Sequence, residues 1–114
     1  MEHTMRLFPI PFEKIRCGKK TIELRLHDEK RRNIQIGDHI CFVNSEDSSQ
    51  VLKVEVVNLF VYDSFAALYR ELPLLECGYT EQDIDTASPS DMDAYYTKEQ
   101  QETYGVVGIQ IKLL

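Results

Sequence analysis

Lys20, Glu23 and Arg25 bring two cations and a carboxylate into six residues. Such a trio can hold a polar or anionic ligand, or its members can neutralise one another. Two chemistries follow. In a hydrolase, Lys20 and Glu23 would be the catalytic pair. Lys20 as a base would have to be neutral, and a free lysine titrates near ~10.4, so burial or like charge from Lys19 or Arg25 would have to lower it. Alternatively Glu23 activates water while Lys20 and Arg25 hold the developing negative charge. In a binding module, Lys19, Lys20, Arg25 and Arg31 are candidate contacts to phosphate or a base edge. Tyr104 or Tyr96 would stack on an unpaired base at roughly 1–3 kcal/mol per base.

The segment carrying the trio reads as a strand. Gly18 marks a turn, and Thr21, Ile22 and Leu24 favour extended backbone from Lys20 to Leu26. Strict alternation puts Thr21, Glu23 and Arg25 on one face and Lys20 on the other, which would separate Lys20 from Glu23; Lys20 lies at the strand start next to a turn, where alternation need not hold and the two can pair. Upstream, Met5 to Phe8 is a short apolar run. Pro11 can open a helix with Phe12 and Ile15 inward and Gly18 as its C-cap. His27 to Asn33 is a polar loop or single helical turn.

Further along, Gly37-Asp38 is a turn before the strand His39 to Val43. Asn44 to Gln50 is a hairpin connection, and Val51 to Val61 is a long strand. Asp63 or Ser64 can cap a helix bearing Phe65, Leu68, Tyr69 and Leu72. Thr80, with Asp83, can cap a short acidic helix. Asp91 to Thr103 is helical in composition, and Val106 to Leu113 is a closing strand. The order β-α-β-β-β-α-α-α-β predicts one α+β domain over residues 1–114. Its sheet would be a small closed or half-closed barrel whose last strand pairs back with an early one.

The bulk properties fit this size and class. A chain of 114 residues buries enough surface to fold without metal or disulfide. Cys17, Cys41 and Cys77 form no CxxC pair, and His3, His27 and His39 form no ligand pattern, so neither a metal nor a cofactor is expected. The thiols read as buried and free. No stretch approaches the ~20 apolar residues of a membrane span. Met1 to Arg6 lacks the basic start and apolar core of a signal peptide, and the expected location is the cytoplasm.

The formal charge of −6 is unevenly spread: residues 1–60 carry 10 Lys/Arg and 9 Asp/Glu, and residues 61–114 carry 3 and 10. That balance excludes non-specific binding to duplex nucleic acid. The bases of residues 19–32 still allow a small anion-reading patch. The acidic second half alone would suit an adaptor for a basic partner protein.

The run Gly18-Lys19-Lys20-Thr21-Ile22-Glu23-Leu24-Arg25 resembles the GxKxxExR signature of ASCH domains, relatives of the PUA domain. The resemblance continues through Asp28-Glu29-Lys30-Arg31-Arg32, Gly37-Asp38, Tyr62-Asp63-Ser64-Phe65, Tyr95, Tyr96 and Tyr104-Gly105-Val106-Val107. It is similar to the short, single-domain prokaryotic branch and covers nearly the whole chain. It implies a PUA-like β-barrel with a cleft between barrel and helices. It also implies that single-stranded RNA or a modified nucleoside binds around Lys20, Glu23 and Arg25.

One branch of similar size hydrolyses N4-acetylcytidine. Its active site has a lysine matching Lys20, an arginine matching Arg25, a threonine where this chain has Glu23, and a downstream glutamate that Glu76 would match. With Glu23 the nucleophilic hydroxyl of that branch is missing, and Thr21 lies two positions too early to replace it. An amidohydrolase acting on N4-acylated cytidine is therefore the alternative reading, and a ribonuclease a further one.

Overall fold

A computed structural model describes all of residues 1–114. Five strands, β1 (Glu2–Leu7), β2 (Ile22–Leu26), β3 (His39–Asn44), β4 (Val51–Tyr62) and β5 (Val106–Leu113), form one sheet in the spatial order β1-β3-β4-β5-β2. β1 runs parallel to β3, and every other pairing is antiparallel. The closing strand does pair back with an early one: β5 lies between β4 and β2, with Glu23 opposite Ile109 and Arg25 opposite Val107. The sheet curls into a half-barrel whose edge strands are β1 and β2. A side chain spans that seam, where Nη2 of Arg25 on β2 donates to the carbonyl oxygen of Arg6 on β1 at 2.8 Å.

Two apolar clusters fill the two sides of β5. Val107, Ile109 and Ile111 join Ile40, Phe42, Val54 and Val56 inside the curl, with Phe12 and Ile15 packed against them. Val106 faces the other way, where Ile22 and Leu24 meet Phe65, Leu68 and Leu72. Cross-strand neighbours share a face, so Glu23 and Arg25, opposite Ile109 and Val107, extend the inner face of the half-barrel.

The helices cover the ends of the curl. α1 (Pro9–Arg16) starts at Pro9, two residues before the expected Pro11; both prolines fit the first turn, where no amide partner is needed. α2 (Glu29–Arg32) is the single helical turn expected there, capped by the Asp28 side chain. α3 (Phe65–Glu71) begins on Ser64, whose hydroxyl accepts from the Ala67 amide.

The acidic stretch departs from expectation. Asp83 does accept from the amide and hydroxyl of Thr80, but only a turn and the 3-10 segment Ile84–Thr86 follow. Residues 91–103 do not form one helix either. They divide between the 3-10 segment Pro89–Ala94 and α4 (Lys98–Tyr104), because Thr97 opens a new helix with a capping box to Gln100. Cys17 is exposed at the end of α1, contrary to the expected burial, whereas Cys77 is buried. No helix is long and apolar enough to cross a membrane.

Candidate functional site

The seam between β1 and β2 opens into a cleft of about 980 Å³, and Lys20, Glu23 and Arg25 lie in its wall. The turn after α1 places Lys20. Gly18 takes a positive φ of 84°, and the Lys14 carbonyl accepts from both Lys19 and Lys20 amides. Regular strand begins only at Ile22, because the Thr21 amide is spent on the Glu76 carbonyl. Alternation therefore fails at Lys20, and of the two arrangements left open the paired one is found. Lys20 Nζ lies 2.6 Å from Glu23 Oε1, and Arg25 Nε lies 2.7 Å from Glu23 Oε2.

Glu23 is 3% exposed, so the ion pairs decide its state. Burial opposes its charge, but Lys20 and Arg25 outweigh that and hold the carboxyl below its ordinary range. Burial likewise opposes the charge on Arg25, and Glu23 overrides it and raises the guanidinium. The trio keeps one net positive charge. Gly78 backs Lys20 from the other wall: its φ is +113°, and a Cβ there would sit 3.3 Å from Lys20 Cδ. Its carbonyl accepts from Lys14 Nζ at 2.7 Å.

The remaining candidates are dispersed. Tyr96 lines the cleft, with one ring face stacked on Phe65. Tyr104 lies in a separate hollow of about 430 Å³ with His27 and Arg32. Lys19 is exposed outside the cleft lining. Arg31 is also outside it and pairs with Asp28 at 3.0 Å, while its buried Nε has no partner. Glu76 turns away as well: its carboxylate accepts from the Thr21 hydroxyl at 3.1 Å.

Several lining residues were not assigned to the site from the sequence. Phe8 and Tyr95 stand exposed at the mouth with ring centroids 6.2 Å apart. Tyr69, Tyr79 and Asp91 form a hydrogen-bonded chain along the wall. Burial, with the bonds to Tyr69 and Asp91, pushes the Tyr79 phenol far above its ordinary range. Cys77, also in the wall, is pushed up to about 12 by burial. Phe8 was legible only as the end of an apolar run, and residues 73–97 carry no periodicity that would aim their side chains. No group of three or more His, Cys, Asp or Glu side chains is arranged to hold a metal ion.

The ASCH domain family model matches residues 5–114. The chain belongs to the ASCH domain family. Two solved structures of matching length are similar throughout. The hypothetical protein PH0355 is 34% identical, with full coverage of both chains and a TM-score of 0.82. Protein PF0455 from Pyrococcus furiosus is 35% identical, covering 100% of this chain and 98% of that one, with a TM-score of 0.75. The ASCH protein of Zymomonas mobilis is only 17% identical and shares the fold, at a TM-score of 0.65 over 97% of this chain and 66% of that one. No curated protein matches the sequence. The α+β half-barrel is thus the ASCH fold, with the Lys-Glu-Arg signature at its seam.

Proposed function

We propose that this ASCH domain binds single-stranded RNA or a modified nucleoside in the seam cleft. The observation that carries the reading is a buried carboxylate flanked by two cations beneath an exposed aromatic rim. Glu23 orients Lys20 and Arg25 and leaves a net positive charge, which suits a phosphate or a base carbonyl oxygen. Phe8 and Tyr95 offer ring faces at the mouth, where a base has a stacking surface. The arrangement favours binding over hydrolysis. Both Glu23 oxygens are engaged, and a carboxyl held below its ordinary range is a poorer proton acceptor.

The test pairs two assays. Fluorescence anisotropy with a labelled single-stranded RNA should show binding that Arg25→Lys weakens about tenfold, since a lysine cannot hold Glu23 and the Arg6 carbonyl and still present further N–H groups to the ligand. Chromatography of N4-acetylcytidine incubated with the protein should show no cytidine. Absence of RNA and nucleoside binding, or unchanged affinity in Arg25→Lys, overturns the reading. Turnover that disappears in Lys20→Ala and Glu23→Gln would replace it with an amidohydrolase.

A further inference from the structure

The hydrogen-bonded chain in the cleft wall has a fixed direction. The phenol oxygens of Tyr69 and Tyr79 are 2.7 Å apart, and the Tyr79 oxygen is 2.7 Å from Asp91 Oδ2. That same carboxylate oxygen accepts from the Ser88 amide at 3.1 Å. A carboxylate only accepts and a phenol has one proton, so the Tyr79 proton goes to Asp91. Tyr79 is left able only to accept from Tyr69. The single proton of Tyr69 is thereby committed, and no N–H or O–H of the protein donates to its oxygen. Tyr69 thus has only acceptor lone pairs left for the cleft it lines, which also holds the donors of Lys20 and Arg25 around Glu23.

We propose that Tyr69 is a specificity residue that accepts an N–H from the bound ligand, with Tyr79 and Asp91 as positioning residues that hold it in the acceptor state. The preferred ligand is a nucleobase with an exocyclic amino group, whose partner atoms accept from the cationic wall. A base with a carbonyl at the same position would set oxygen against oxygen. This inference rests on the nucleobase-binding reading above.

Matched amino and oxo bases test it. Pentanucleotides of cytidine against uridine, and of adenosine against inosine, are titrated calorimetrically into the wild-type protein, Tyr69→Phe and Tyr79→Phe. The wild type should favour the amino member of at least one pair about tenfold, the worth of one hydrogen bond. Tyr69→Phe should bring that ratio to about one. Tyr79→Phe should bring it to about one or invert it, because the freed Tyr69 proton can then donate to a carbonyl. A merely structural Tyr79 would lower both affinities and leave the ratio alone.

Should Tyr79→Phe fail to fold by thermal melting, Asp91→Ala, at the exposed end of the chain, makes the same test. Binding of amino and oxo members with equal affinity by the wild type overturns the inference and leaves RNA binding standing. A preference that survives Tyr79→Phe, or Asp91→Ala in its place, also overturns it. Failure of the wild type to bind any of the four oligonucleotides overturns this inference together with the RNA half of the binding reading, and leaves the modified nucleoside as its only remaining ligand.

Discussion

Glu23 is buried at the cost of its hydration, and two cations repay that cost: each carboxylate oxygen has one partner within 2.7 Å. Removing the carboxylate strands both Lys20 and Arg25, whose side chains are themselves only 10% and 13% exposed. Glu23→Gln should therefore destabilise the fold by about 3–5 kcal/mol at neutral pH, read by chemical denaturation. The sign of the pH dependence follows from the lowered carboxyl. Its contribution is fully present above the ordinary value of 4.5 and is lost as pH falls through the lower folded value. Below that, the wild type carries a neutral carboxyl and resembles the variant. The stability gap between the two should hold from neutral pH down to about pH 5 and then narrow on acidification. A gap that is constant down to pH 2 would mean that Glu23 is not the group being titrated.

Elements, not the signature alone, bring the site together. β2 supplies Glu23 and Arg25, the turn after α1 supplies Lys20, and the 3-10 segment Leu74–Cys77 with Gly78 forms the wall behind Lys20. Gly78→Ala tests that wall. The positive φ strains any L side chain by about 1–3 kcal/mol, and the new methyl presses on Lys20 Cδ. We expect a lower melting temperature and weaker RNA binding together, whereas a drop in stability with unchanged binding would show that Lys20 does not depend on this support. The strands and α3 were legible because their apolar spacing and caps are local signals: Ser64, one of the two expected caps, is the one used, and Val106 to Leu113 closes the sheet. The second wall was not legible. Thr80 with Asp83 and Ser88 with Asp91 make genuine capping bonds, but the first holds a tight turn and the second opens a 3-10 segment, and the same residue pattern suits an α-helix equally well. The Lys20–Glu23 contact stayed open in the sequence because it turns on where the strand begins, and that is set by a distant partner: the Thr21 carbonyl still accepts from Ile111, but its amide goes to the Glu76 carbonyl.

At the scale of the whole molecule, charge and cleft pull in opposite directions. The chain carries −6 overall, so the field at long range repels a polyanion. Within α2 only Arg31 is neutralised, by Asp28; Lys30 and Arg32 donate to the carbonyl oxygens of Thr4, His27 and Tyr104, which tie their heads to the protein but leave their charge. Binding confined to the seam, with Lys20 and Arg25 each meeting one phosphate, makes about two phosphate contacts. Counterion release from a single strand scales as about −0.7 per phosphate, so log K against log salt should have a slope of about −1.4. Between 50 and 200 mM salt the affinity for single-stranded RNA should then fall about sevenfold, measured by anisotropy. Screening of the acidic half by the same salt works against that loss and makes the slope shallower, not steeper. A slope near −4 would require five or six phosphate contacts. It would mean that α2 releases its cations on binding and that RNA tracks across the face of the half-barrel instead of ending in its seam.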